Sequence, residues 1–175
     1  SANTVLPTAT ATTGQANATP RPTETVPPLG GDSTPNISAA NPVVDIAANV
    51  GPSVVGIDSR IRNFSFGGFG GLQQQASGSG IIVSAEGHIV TNYHVVEGGD
   101  AYFVLQGEKE VKATLVGTDP STDIAVLKIN PSELGTALTV AALGDSSQLK
   151  VGELAVAIGN PLGSRFAGTV TSGVI

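Results

Sequence analysis

Thr91-Asn92-Tyr93-His94-Val95-Val96 and Thr122-Asp123-Ile124-Ala125-Val126-Leu127-Lys128-Ile129 are the two stretches on which the reading of this chain turns. Each sets a polar, titratable residue beside an apolar run of the kind that lines a buried strand. A histidine can take a proton near neutral pH, and a carboxylate behind it can fix its tautomer and stabilise the imidazolium. These are two parts of a three-part hydrolytic site whose third member is an activated serine. Taken singly, each residue has a plainer reading. A histidine such as His94 is more often structural than catalytic, and Asp123 at the mouth of an apolar strand could simply cap a turn. His88, beside the Glu86-Gly87 turn, reads as an ordinary exposed strand residue.

Outward from these stretches the chain alternates short β-prone runs with turn formers. The runs are Ser53–Asp58, Gly78–Ser84, His88–Asn92, Ala101–Gln106, Val111–Gly117 and Asp123–Ile129. Glu86-Gly87, Gly98-Gly99-Asp100, Gly107-Glu108 and Asp119-Pro120 separate several of them. Helix-length periodic segments between the runs are missing, which argues against a parallel α/β sheet. The pattern predicts an all-β fold, a closed antiparallel barrel or a sandwich, preceded by a short helix over Val43–Val50. Gly152–Gly159 and Gly168–Ile175 read as the start of a second sheet. The last run ends at Val174-Ile175, which suggests a fragment. The stretch from Asn63 to Gln75 is rich in Gly and carries Phe64, Phe66 and Phe69. It reads as a loop interrupting the first hairpin, packing its rings on its own barrel or docking on another subunit.

Composition narrows the function classes. The chain has 175 residues, 23 of them glycine, and 4% aromatics, which suits a turn-rich sheet protein. Its formal net charge is −6, and the eight Lys and Arg are scattered. No basic stripe marks a nucleic-acid binder. The absence of cysteine excludes disulfides, zinc–thiolate sites and thiol catalysis. His94 has no second histidine at ligand spacing, and no phosphate-cradling glycine pattern occurs, so neither metal nor cofactor is expected. No apolar run is long enough to span a bilayer. The chain begins at Ser1 without an initiator Met, which leaves room for a signal peptide or membrane anchor upstream of Ser1. The Thr/Pro/Ala-rich lead has almost no bulky apolar residues to bury and is expected to be a disordered linker.

The motifs in order closely resemble the HtrA (Deg) family of trypsin-like serine proteases. They read here as Ser77-Gly78-Ser79-Gly80-Ile81-Ile82, then Gly87-His88-Ile89-Val90-Thr91-Asn92-Tyr93-His94-Val95-Val96, then Gly117-Thr118-Asp119-Pro120-Ser121-Thr122-Asp123-Ile124-Ala125-Val126-Leu127-Lys128-Ile129. Leu143-Gly144-Asp145-Ser146, Val151 to Gly163 and Thr169 to Ile175 continue the match. The resemblance covers about residue 50 to the end, interrupted mainly by the Phe/Gly stretch.

It implies a fold of two six-stranded antiparallel barrels with the site between them. The first barrel would supply His94 and Asp123 as catalytic residues, and the second would supply the serine and its oxyanion hole. Residues 1–42 would then be the disordered linker, 43–150 the first trypsin-like barrel, and 151–175 the start of the second. The family's serine lies in a Gly-Asn-Ser-Gly-Gly segment, expected a few dozen residues beyond Ile175. Neither Ser79 nor Ser164 has the Gly-x-Ser-x-Gly spacing of a nucleophile. The chain alone is therefore expected to be inactive. The family also implies unfolded or misfolded polypeptide substrates, protein quality control, a homotrimer, and an extracytoplasmic place in the periplasm or cell envelope. The rival reading is a catalytically dead barrel serving as a binding or scaffold protein.

Overall fold

The computed structural model describes residues 41–63, 71–160 and 168–175. The expectations placed on residues 1–40, on Phe64, Phe66 and Phe69, and on Ser164 lie outside the described residues.

Helix α1 (Pro42–Val50) opens with proline at its first position, where the missing N–H is no loss. A single 3₁₀ turn, Gly51–Ser53, leads from it into the first strand. Six strands then close into a barrel: β1 (Val54–Asn63), β2 (Gly71–Ile82), β3 (His88–Asn92), β4 (Ala101–Gln106), β5 (Lys109–Asp119) and β6 (Ile124–Lys128). The order around the barrel is β1-β2-β3-β6-β5-β4, with β4 pairing back onto β1. Every neighbouring pair is antiparallel. Closure leaves this sheet no unpaired edge.

The barrel closes because each strand offers one apolar face. Val55, Ile57, Ile82, Ile89, Val104, Val111, Ala113, Ala125 and Leu127 are buried together at its centre. Burying one such Val, Ile or Leu side chain stabilises by about 1.5–3 kcal/mol. Bulges at Gln75 of β2, opposite Ser59/Arg60, and at Val116 of β5, between Leu115 and Gly117, bend these two long strands around the barrel. Gly87 makes the tight β2–β3 turn at φ +94°, and a side chain there would run into the Ile129 carbonyl.

The β3 and β4 runs lie where the sequence places them, and the other four barrel strands differ at their ends. The largest difference is the first hairpin. Gly71-Leu72-Gln73-Gln74-Gln75 reads as loop in the sequence but is strand, with Gly71 to Gln74 paired to Arg60 to Asn63. These residues are largely exposed, so no apolar alternation announces them. Cross-strand pairing and side-chain bonds hold them instead: Gln74 Nε2 donates to Asp58 Oδ1 at 3.0 Å, and Gln75 Nε2 to the Glu97 carbonyl at 3.3 Å.

Beyond β6 the chain makes one short helical turn, Pro131–Leu134. It then returns over the barrel, where the Ala141 amide donates to the Ile82 carbonyl at 2.9 Å. Strands β7 (Leu154–Gly159) and β8 (Thr169–Val174) form a separate two-stranded antiparallel sheet. Its tie to the barrel is specific. The Asn160 amide, just past β7, donates to Ser79 Oγ at 2.8 Å, and Asn160 is buried.

Candidate active site

The register of two central strands brings the two singled-out residues together. Asn92, the last residue of β3, pairs with Ile124, the first residue of β6. The chain leaves β3 through His94 and enters β6 through Asp123, so residues separated by 29 positions meet at one end of the barrel. Neither lies within a strand. His94 belongs to a single helical turn, α2 (Tyr93–Val96), and Asp123 to the turn that precedes β6.

Each of these turns is locally fixed. In α2 the Tyr93 amide donates to the Asp123 carbonyl at 3.0 Å, and the Glu97 amide closes the turn onto Tyr93 at 2.9 Å. Val95 and Val96 are buried against the barrel, which leaves His94 on the outward side. Before Asp123, the Asp119 carboxylate accepts from the Ser121 amide at 3.0 Å, from Ser121 Oγ at 2.6 Å and from Thr122 Oγ1 at 2.8 Å. That network winds the chain tightly enough to place Asp123 at φ +55°, the only non-glycine positive φ among the described residues. Asp tolerates this left-handed conformation better than most residues.

The resulting geometry is a clamp. Asp123 Oδ1 accepts the His94 backbone N–H at 2.9 Å, and Asp123 Oδ2 lies 2.8 Å from His94 Nδ1. Asn92 Nδ2 donates to the same Oδ2 at 3.1 Å and to the Asp123 carbonyl at 3.3 Å. The His94 backbone and ring bonds, in that order, hold the Asp123 carboxyl below the usual carboxylate range. An ionised carboxylate only accepts hydrogen bonds, so the proton in this contact belongs to His94 Nδ1. In the neutral ring the lone pair then lies on Nε2, on the far side from Asp123. Burial is not what couples the pair, because the His94 side chain is 67% exposed and the Asp123 side chain 44%. Direct hydrogen bonds to the His94 amide and ring orient Asp123.

A family pattern for the trypsin-like peptidase domain matches residues 78–175, more than half of the chain. The chain belongs to the HtrA (Deg) family of trypsin-like serine proteases. It is 42% identical over 153 residues to the Serine protease Do-like HtrB of Bacillus subtilis, covering 82% of this chain and 32% of that protein. It is 48% identical over 109 residues to the Serine protease Do-like HtrA of Lactococcus lactis subsp. cremoris, covering 60% of this chain and 26% of that protein. Over 101 residues it is 48% identical to the Probable periplasmic serine endoprotease DegP-like of Brucella suis biovar 1, covering 57% of this chain and 19% of that protein. The chain thus spans between 19% and 32% of the length of these three HtrA-type relatives.

Within this HtrA-type barrel the other residues singled out in the sequence take structural places. His88 is half-buried and tied to Ser84, whose Oγ lies 2.8 Å from His88 Nδ1. Ser79 accepts from Asn160 and its carbonyl accepts from Thr91 Oγ1 at 2.8 Å, so its hydroxyl is a tie between sheets. Among the described residues no serine hydroxyl hydrogen-bonds His94. No three His, Asp or Glu side chains there cluster to hold a metal. Sequence reasoning gives Asn92 no role at the site and reads Asp119-Pro120 only as a turn between strands. The run Asp119-Pro120-Ser121-Thr122 carries that second signal, since Asp and Ser make local backbone-capping turns.

Proposed function

We propose that this chain supplies the His–Asp half of a serine endopeptidase site, with His94 as general base and Asp123 as its orienting carboxylate. The observation that carries the reading is the clamp: one carboxylate holds both the backbone amide and the ring Nδ1 of His94. It fixes the tautomer in which Nε2 takes a proton from an attacking serine hydroxyl and later delivers it to the leaving amine. The serine and the amides that stabilise the tetrahedral oxyanion come, on this reading, from sequence outside these 175 residues. The 175-residue chain is then inert as a peptidase. The HtrA- and DegP-type relatives support a family-level serine protease function and an extracytoplasmic location. The substrates proposed are unfolded or misfolded polypeptides, and the assembly proposed is a homotrimer.

The test uses a protein that carries this sequence together with a downstream serine, assayed on an unfolded polypeptide. His94→Ala is expected to lower turnover by on the order of 10⁴-fold or more. Turnover close to that of the parent would remove His94 from the mechanism. Binding of polypeptide with no serine-dependent cleavage in the parent would favour the scaffold reading.

A further inference from the structure

We infer that Gly78 is a positioning residue for His94: its missing side chain is the seat on which the α2 turn rests. The inference rests on the His94 assignment above and adds a residue to that site. Gly78 lies in β2, in the run Ser77-Gly78-Ser79-Gly80, and pairs with Ile57 of β1. Its Cα faces Val95, the residue next to His94. A methyl added there would lie 2.6 Å from Val95 Cγ2 and 3.1 Å from Cγ1. Carbon atoms do not approach so closely, so one side has to move.

What moves is decided by stiffness. Gly78 is held in a closed barrel, between β1 and the start of the β2–β3 pairing. Val95 is β-branched and buried, so it cannot swing both methyls clear by changing rotamer. The α2 turn is only four residues long. It is the softer partner, and lifting Val95 carries the backbone of His94 with it. The His94 amide and ring both bond the Asp123 carboxylate, at 2.9 and 2.8 Å, so a shift of a few tenths of an ångström acts on both bonds. Gly80, two residues on, provides the internal contrast. A methyl there meets Ile89 Cγ2 at 2.8 Å and Ile57 Cδ1 at 3.0 Å, which are core side chains below β2. The two glycines of one motif therefore carry separable loads, Gly80 the packing of the core and Gly78 the height of the histidine turn.

The experiment records the ring ¹⁵N shifts and the backbone amide shift of His94 in the 175-residue chain, with thermal unfolding measured alongside. Gly78→Ala is expected to move both sets of His94 signals. Gly80→Ala is expected to lower the unfolding midpoint while leaving them in place. Gly78→Ala combined with Val95→Ala should return the signals toward the parent, because the second change clears the space that the first one fills. Val95→Ile, which crowds the same contact from the other side, should displace them again and serves if Gly78→Ala alone does not fold. Unmoved His94 signals in Gly78→Ala or in Val95→Ile overturn the inference. So does an equal displacement in Gly80→Ala, or a double variant that shows no recovery. None of these readouts involves a serine, so the positioning inference can fail while the peptidase reading stands. The peptidase reading can likewise fail in the turnover assay while the seat stands.

Discussion

At the residue scale the informative feature is that Asp123 does two jobs with one carboxylate. It stops the exposed His94 amide from being left without a protein partner, and it fixes the ring. Asp123→Asn separates these roles. Asn also tolerates the left-handed backbone at φ +55°, so the turn should survive. Its amide would donate toward Nδ1 and favour the opposite tautomer. In a serine-bearing protein the expected loss in kcat is about 10⁴-fold, the size seen when a triad aspartate is made neutral. KM and folding should be little changed. A kcat within a few-fold of the parent would show that Asp123 is a turn cap only. His94 and Asp123 can be singled out in the sequence because the family's motifs set them beside apolar strands, and the structure brings them together. Their geometry is not legible there. The positive φ of Asp123 and the turn spun around Asp119 depend on hydroxyl–carboxylate bonds that no periodicity reveals.

At the element scale the strands with one buried face were readable and the two-sidedly exposed ones were not. β3 and β6 alternate buried and accessible residues, and their runs are visible in the sequence. The outer half of the first hairpin has no such alternation, so Gly71 to Gln75 reads as loop. Arg60 helps hold this region. Its guanidinium reaches over β4 to pair with Glu110 of β5, approaches Asp58 at 3.5 Å, and stacks 4.0 Å over the Phe103 ring. β2 is also the strand that ties the two sheets, through Ser79 Oγ and the Asn160 amide at 2.8 Å. Asn160 is buried, so removing the hydroxyl leaves its amide without that acceptor. Ser79→Ala is expected to cost about 1–3 kcal/mol, because it removes an acceptor of the buried Asn160. Faster hydrogen exchange at the Asn160 amide, with the barrel-core amides unchanged, would locate the effect. Unaltered exchange there would mean that the bond does not hold β7 to the barrel.

At the scale of the whole molecule, ionised carboxylates fix several of the turns around the barrel and just beyond it. Asp119 is held low by Ser121 and Thr122, Asp123 by His94, and Asp145 by Ser147. Glu86, in the β2–β3 turn, is held low by a backbone bond and by Ser84. All four shifts have one sign, and the sign fixes the direction of the pH dependence. A carboxyl whose pKa is lower in the folded chain than in the unfolded one stabilises the fold fully above its ordinary value, about 4. That contribution fades as the pH falls through the folded value. The unfolding midpoint should therefore be flat with respect to these groups from neutrality down to about pH 5, then fall steadily below about pH 4. Because the shifts come from hydrogen bonds to specific turns, Asp119→Asn should flatten part of the acid limb while lowering the midpoint at neutral pH. Asp119 bonds no residue of the histidine turn, yet it winds the chain into Asp123. The same variant should thus disturb the His94 ring signals at neutral pH. A midpoint that rises on acidification, or an Asp119→Asn chain with both an unchanged acid limb and unchanged His94 signals, would show that these turns do not couple the fold to the site.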